Sequence, residues 1–208
     1  MNSALIFCLP PLLGAAVGAV FGAALERWAA KLSGGRPVVG PRCRVCAIVV
    51  GCWAAVFAAS SPPLRALILP TVLLCILVTA ALTDLQTRRI PNLLTGGGLA
   101  AVLLVTALFE PRFATERLIF SFAAFTFFLA AALLRPGGIG LGDVKLVAVV
   151  GAALGAASVA AIGVGLVGGA LAGVLIAARH GWGQARTATL PLAPFIAIGS
   201  LAVLLLSG

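Results

Sequence analysis

The chain has 208 residues, of which 62% are hydrophobic and only 9% are charged, and its mean hydropathy is +1.21. A soluble domain has roughly 45–50% apolar and 25% charged residues, so this composition excludes an ordinary soluble fold and predicts a multi-pass membrane protein. The net charge of +9 raises nucleic acid as a partner, but the basic residues lie in short connections without interleaved aromatic residues. We therefore expect a lipid bilayer around the chain and no nucleic-acid site.

Eight apolar segments are long enough to cross or nearly cross a bilayer, which takes roughly 20 helical residues. The sixth and seventh form one run that is too long for a single crossing, and Gly155 and Ser158 are the candidate turn positions within it. We predict an all-α bundle of about eight transmembrane helices, in a single integral-membrane domain over residues 1–208. The predicted spans are approximately 4–25, 45–60, 66–83, 93–109, 118–134, 144–158, 159–178 and 190–206.

Small residues recur every fourth position in two of these spans. Gly165, Gly169 and Gly173 form one such stripe in the seventh span, and a second one lies in the first span. Small side chains at this spacing let helices approach closely in lipid. Both stripes are predicted to be helix-packing faces, and they carry no information about a substrate.

The orientation of the chain can be predicted from its basic residues, because cytoplasmic loops carry an excess of Lys and Arg. With the N-terminus outside, the even-numbered loops hold three of the 14 basic residues, Arg65, Arg112 and Arg117. The N-terminal segment lacks the positive residues of a secretory signal and is expected to be a retained helix. The cytoplasmic loops then hold Arg27, Lys31, Arg36, Arg42, Arg44, Arg88, Arg89, Arg135, Lys145, Arg179 and Arg186.

The chain has two aspartates, Asp84 and Asp143, which close the third predicted span and open the sixth. The two spans between them lead out and back, so both side chains are expected at the cytoplasmic end of the bundle. Two carboxyl groups brought close cannot both ionise cheaply, and such a pair can hydrolyse a peptide bond by general acid–base catalysis. Helix capping by each aspartate is the structural alternative.

Both aspartates lie in short motifs. The first motif runs over residues 83–95 and places Pro91 and Asn92 a few residues after Asp84; the second runs over residues 138–146 and reads Gly-Ile-Gly-Leu-Gly-Asp-Val-Lys-Leu. Together they resemble the two signature segments of the prepilin peptidases, also called type IV leader peptidases. Residues 190–195 are similar to the start of that family's last helix, so the resemblance covers about residues 66–206.

The resemblance implies an aspartic endopeptidase of the bacterial cytoplasmic membrane, with its active site facing the cytoplasm. Its substrates would be type IV prepilins or pseudopilins, from which it removes a short basic leader, and no cofactor or metal is expected. Asp84 and Asp143 carry over as the catalytic pair. The candidates for substrate binding or support of the site are Gly140, Gly142, Lys145, Pro91 and Asn92. The two glycines would let backbone approach the substrate closely, and a plain loop turn is their structural alternative.

The first cytoplasmic loop departs from the longest members of that family. Those enzymes carry a larger loop domain with two Cys-x-x-Cys pairs, and they also N-methylate the new N-terminus. Here the loop over residues 26–44 is short, and one pair, Cys43 and Cys46, lies at its end. One pair supplies two of the four ligands that a structural zinc site needs, so zinc is not expected and N-methylation is in doubt.

Three other interpretations stay open from the sequence. An ion- or proton-coupled transporter could use two carboxylates at the membrane edge, although no inverted repeat or broken-helix pair is apparent. A noncatalytic membrane assembly factor would tolerate replacement of either aspartate. A presenilin-like protease shares Gly-x-Gly-Asp, but its Tyr-Asp pair and Pro-Ala-Leu segment correspond here only to Thr83-Asp84 and residues 191–193.

Overall fold

The computed structural model describes residues 64–135, 138–180 and 190–207, together with Arg27 and Lys31. Within these ranges all regular structure is helical, which confirms the predicted all-α class for this part of the chain. The first two predicted spans and the pair Cys43 and Cys46 lie outside the described residues. The helices are α1 (Leu64–Thr87), α2 (Asn92–Phe109), α3 (Ala114–Leu134, after a 3-10 turn at Pro111–Phe113), α4 (Leu141–Leu154), α5 (Ala157–His180) and α6 (Ala193–Ser207).

Each of the last six predicted spans corresponds to one helix, but not every helix has the length of a membrane crossing. α4 has 14 residues and α6 has 15, or about 21 and 22 Å at 1.5 Å per residue, against a hydrocarbon core of about 30 Å. The prediction of eight spans is therefore not confirmed. Within the described residues, four segments are long and apolar enough to cross: Ile68–Leu85, Asn92–Phe109, Pro111–Leu134 and Ala157–Arg179.

The short helix α4 lies at the centre of the described part of the bundle. It packs against α1, α2, α3, α5 and α6, and nine of its residues between Val144 and Ala153 are buried. A helix that is apolar on all sides is stable where neighbours surround it. The contact with α3 is the closest: a Cβ at Gly151 would lie 2.7 Å from the carbonyl oxygen of Phe120, and the Ser121 hydroxyl donates to the Ala148 carbonyl at 2.9 Å.

The glycine stripe of α5 is a packing face against α6, as predicted. A Cβ at Gly165 would lie 2.9 Å from the Phe195 carbonyl oxygen, and Gly169 is in ordinary contact with the Phe195 ring. From the other side, Gly199 of α6 fits directly against the carbonyl of Ala161. α6 also packs on α1, so its position is fixed from two sides, with close backbone contact on the α5 side.

Gly155 ends α4 and turns the chain into α5, as expected for the long apolar run. It has a φ of +55°, which favours glycine. Ser158 lies in the first turn of α5, and its hydroxyl donates to the Gly155 carbonyl at 2.6 Å. Glu116 of α3 completes the turn, since its Oε1 accepts the N–H of Ala156 at 3.0 Å.

Candidate active site

Asp84 lies one turn before the end of α1. The Arg88 N–H still donates to the Asp84 carbonyl at 2.9 Å, but Arg88 itself has a left-handed φ of 54°, and this conformation ends the helix. Pro91 is extended, with φ −61° and ψ 136°, so α2 begins at Asn92. The first motif is thus a sharp link between α1 and α2 that leaves Asp84 at the end of the bundle.

The threonines around Asp84 satisfy their own hydroxyl groups. The hydroxyls of Thr79, Thr83 and Thr87 each donate to a carbonyl one turn earlier in α1, at 2.7, 3.0 and 2.9 Å. A hydroxyl bonded in this way uses its donor within its own helix. Asp84, which is 7% exposed, is then the side chain of this turn that reaches another element, because its Oδ2 accepts the N–H of Ala193 in α6 at 3.2 Å.

Asp143 lies in the first turn of α4. The Gly140 carbonyl accepts the N–H groups of Asp143 and Val144 at 3.0 and 3.1 Å, and Gly140 is the residue at the N-cap, without a side-chain cap. The half-buried Asp143 carboxyl hydrogen-bonds with the backbone of Gly140, the N-cap residue, so helix capping remains the structural alternative for this residue. Its Oδ1 atom is buried and has no hydrogen-bond partner among the described residues.

Asp84 and Asp143 line the same cavity, which has a volume of about 300 Å³. It lies where α1 ends and α4 begins, so the two motifs meet at one end of the bundle. A space of this size is at the lower end of typical ligand pockets. The other lining residues are Arg88, Arg89, Ile90, Gly140, Leu141 and Gly142.

The two carboxyl groups interact electrostatically. Asp143 lies outside the four helices of spanning length, and its pKa is raised to about 6. Burial is the largest cause, the negative charge of Asp84 adds to it, and hydrogen bonding with the Gly140 backbone partly offsets both. A raised pKa keeps a proton on one carboxyl group at a pH where an ordinary aspartate has lost it. Asp143 can therefore hold a proton at a pH where it could donate that proton to another group.

The two motifs also touch at the surface beside the cavity. The Lys145 ammonium group donates to Asn92 Oδ1 at 2.7 Å, which joins the first turn of α4 to the start of α2. Pro91 supports this start, because its carbonyl accepts the N–H groups of Leu94 and Thr95 at 3.0 and 3.3 Å. Both Lys145 and Asn92 are exposed, so their contact is a surface brace between the motifs.

The two glycines of the second motif provide space. A Cβ at Gly142 would lie 3.1 Å from the Ile90 Cβ, and one at Gly140 would lie 3.2 Å from Asp143 Oδ2. Gly140 has φ −74° and ψ 142°, which any residue adopts, so no special backbone conformation requires glycine there. These glycines instead allow close packing of the first motif and of the Asp143 side chain.

Sequence reasoning misses Ala193, which it notes only within the segment 190–195, yet its N–H contacts Asp84. A backbone donor leaves no signal in the identity of its residue. For Arg88 and Arg89 the sequence offers chain orientation, with contact to a leader or tuning of the pair as the alternative, and both residues line the cavity. Among the described residues, no three His, Cys, Asp or Glu side chains cluster as ligands for a metal ion.

Comparison with known proteins bears on this arrangement. The chain has no significant match among curated proteins or among solved structures. A family model, described as the type IV leader peptidase family, matches residues 71–207. This stretch is more than half of the 208 residues and includes both aspartates, the cavity and α6. The resemblance seen in the two motifs is thereby confirmed, and the chain belongs to the type IV leader peptidase family.

Proposed function

We propose that this peptidase is an aspartic endopeptidase in which Asp84 and Asp143 form one catalytic pair. Its substrates are type IV prepilins or pseudopilins, from which it removes the short basic leader. The observation that carries the proposal is that the chain's two aspartates, which belong to separate motifs, line the same cavity. The raised pKa of Asp143 agrees with a pair that holds one proton.

The pair hydrolyses the peptide bond with a water molecule and no covalent intermediate. The charged carboxylate takes a proton from water, whose oxygen attacks the carbonyl carbon, while the protonated carboxyl donates its proton to the carbonyl oxygen. The resulting gem-diol collapses when the peptide nitrogen receives a proton, the C–N bond breaks and the second carboxyl recovers its own proton. The reaction consumes only water, so the proposal includes no cofactor.

The proposed substrate matches the depth of the cavity. Asp84 lies near the end of a spanning helix, and Arg88 and Arg89 follow at once, as expected for a cytoplasmic membrane edge. We place the active site at the cytoplasmic face of the bacterial inner membrane, with the N-terminus of the chain outside. A prepilin with its apolar helix in the bilayer and its leader in the cytoplasm presents its scissile bond at this level.

The remaining motif residues support the pair. Lys145 and Asn92 brace α4 against α2, and Pro91 sets the start of α2. Gly140 and Gly142 let the Asp143 side chain and the first motif pack closely. We assign all residues from 1 to 208 to one integral-membrane peptidase domain, with the short loop 26–44 in place of a larger loop domain. The proposal covers leader cleavage and does not include N-methylation.

A cleavage assay in cells tests the proposal. The chain is co-expressed with a pilin-type precursor in cells that lack their own leader peptidase, and leader removal is followed by the size of the pilin. We expect cleavage by the wild type, and none by Asp84→Asn or Asp143→Asn at matched membrane levels. Cleavage that persists in either variant, or no cleavage by the wild type with several precursors, would overturn the proposal.

A further inference from the structure

The contact between α6 and Asp84 assigns the two aspartates different roles. We propose that the N-terminus of α6 is a positioning element that holds Asp84 as the charged member of the pair, so that Asp84 takes the proton from water and Asp143 protonates the carbonyl oxygen. The assignment of roles depends on the proposed function. The hydrogen bond on which it is built does not.

The first turn of α6 has one N–H group that is directed away from the helix. The N–H groups of Phe195 and Ile196 both donate to the Leu192 carbonyl, at 3.1 Å each, and Pro194 has no N–H group. Ala193 is the first residue of the helix, and its N–H donates to Asp84 Oδ2 at 3.2 Å. The positive end of the helix dipole is thus presented to Asp84 through a single donor.

This donor has a fixed position. Ala193 and Ile196 are fully buried, and α6 is held against α5 where Gly165 lies under Ile196 and Gly199 lies against Ala161. A donor that is fixed before the reaction stabilises a charge without the cost of reorganising the site. The role of α6 is therefore to orient Asp84 and favour its charged form, without touching the substrate itself.

The charged groups around the pair agree with this assignment. Arg88 attracts the Asp84 carboxylate electrostatically, and Arg89 lines the same cavity. On the other side, Asp143 is buried, faces the negative charge of Asp84 and has a buried Oδ1 without a partner among the described residues, and hydrogen bonding with the Gly140 backbone offsets only part of this. α2 and α6, which also pack on α1, contain no ionisable side chain. Asp143 is thus the carboxyl group that is better placed to hold the shared proton.

The assignment fixes the path of each proton. Asp84 removes a proton from water as its oxygen bonds to the carbonyl carbon, and the Asp143 proton moves to the carbonyl oxygen. In the second step the Asp84 proton moves to the peptide nitrogen and the C–N bond breaks. The new carboxyl group returns one hydroxyl proton to Asp143, which restores both side chains for the next cycle.

The substitution Ala193→Pro removes the donor while keeping the helix start. Proline fits the first position of a helix, and the preceding Leu192 carbonyl already accepts the first intrahelical bonds, as an N-cap residue does. We expect kcat to fall roughly 10- to 100-fold, as for loss of a hydrogen bond to a charged group, with little change in KM. The acid side of the pH–rate profile should move to higher pH.

The matched control is Ala157→Pro, which places proline at the first residue of α5. Ala157 is exposed and lies beyond the far end of α4 from the cavity, so this variant should cleave like the wild type with an unchanged pH profile. If Ala193→Pro also keeps the wild-type kcat and pH profile, the positioning role is wrong.

A second measurement uses the folded wild-type protein and does not depend on cleavage. Full-length protein labelled with 15N-alanine in detergent is titrated with acid, and the Ala193 amide signal is identified by its loss in Ala193→Gly. We expect this signal to shift with pH, and the shift to disappear in Asp84→Asn but persist in Asp143→Asn. A signal that does not titrate, or still titrates in Asp84→Asn, overturns the inference even if cleavage is intact. Absence of wild-type cleavage instead overturns the proposed function.

Discussion

The two ends of the described bundle differ in the partners of their carboxylates. At the end where α4 meets α5, Glu110 forms an ion pair with Arg117, and Glu116 accepts the N–H of Ala156 at 3.0 Å and so closes the turn at Gly155. At the cavity end, Asp84 accepts one backbone N–H, and a buried oxygen of Asp143 has no partner within the described residues.

This difference separates structural carboxylates from the proposed catalytic pair. Pairing with a cation or a backbone donor compensates the charge of a carboxylate, as it does for Glu110, for Glu116 and in part for Asp84. Two carboxyl groups that face each other across a cavity raise the cost of charge, and folding alone offers no reason to keep such a pair. Changes at the cavity end should therefore reduce turnover, whereas changes at the opposite end should reduce stability.

Removing a charge at each end should give the largest difference in cleavage rate between the two ends. Asp84→Asn and Asp143→Asn remove general acid–base catalysis, so we expect leader cleavage to fall by about 10²- to 10⁴-fold. Glu116→Gln removes a charge while keeping an oxygen for Ala156, and its cleavage rate should stay near that of the wild type. Cleavage by purified protein in liposomes measures this. An equal loss in Glu116→Gln would erase the distinction between the two ends.

Adding one methyl group at each end tests the same difference between the two ends by steric means. In Gly142→Ala the new Cβ meets Ile90 at 3.1 Å, and displacement of α4 from the first motif should lower kcat about tenfold, because reacting groups must be positioned closely. In Gly155→Ala the new Cβ meets Glu116 Oε1 at 2.6 Å with a φ of +55°, which should cost about 1–3 kcal/mol of stability.

The readouts for these two variants are kcat per folded molecule and the melting temperature. Gly155→Ala should keep its kcat and lose several degrees in melting temperature, and Gly142→Ala should show the larger loss of kcat. The reverse pattern would mean that Gly142 is a structural glycine and that the cavity tolerates displacement of α4.

The stability of the protein should depend on pH through Asp143. Its pKa is raised from 3.8 to about 6 in the folded state, so the folded protein binds this proton more tightly than the unfolded chain does. The stability gained from the bound proton is complete below about pH 4 and is lost as the pH rises through about 6.

Replacing Asp143 isolates this effect. Asp143→Asn removes the cost of a buried charge, so the variant should melt a few degrees above the wild type at pH 7.5 and close to it at pH 4.5. Thermal unfolding of both proteins in the same detergent measures the difference. A variant that melts below the wild type at pH 7.5 would mean that the ionised Asp143 is stabilised by partners outside the described residues.

The surface brace between the motifs should have the smallest effect. Lys145 and Asn92 are exposed, and contacts of exposed charged groups contribute roughly 0.2–1 kcal/mol. We expect Lys145→Met and Asn92→Ala each to change kcat/KM about two- to fivefold, and the double variant to lose little more than either single one. Losses that multiply in the double variant would show that the two residues act independently.

The sequence was sufficient for the helices and for the common end of the two aspartates, but not for the cavity that they share or for the distinction between them. Hydropathy located all six described helices, and the two spans between Asp84 and Asp143 placed both residues at one end of the bundle. Hydropathy could not show that α4 and α6 are shorter than a membrane crossing, because a buried short helix and a spanning helix are equally apolar. The Ala193 donor depends on how α6 packs against α1, which is a tertiary contact without a residue-type signal.

The central claim is that Asp84 and Asp143 act as one catalytic unit. It is tested most directly by single-turnover cleavage of a pilin precursor by the purified wild type, Asp84→Asn, Asp143→Asn and the double variant. Residues that act as a unit have strongly non-additive effects on the rate. We predict that both single variants lose cleavage and that the double variant is no slower than either. A single variant that retains most of its cleavage, or a double variant slowed by the product of the two single effects, would contradict it.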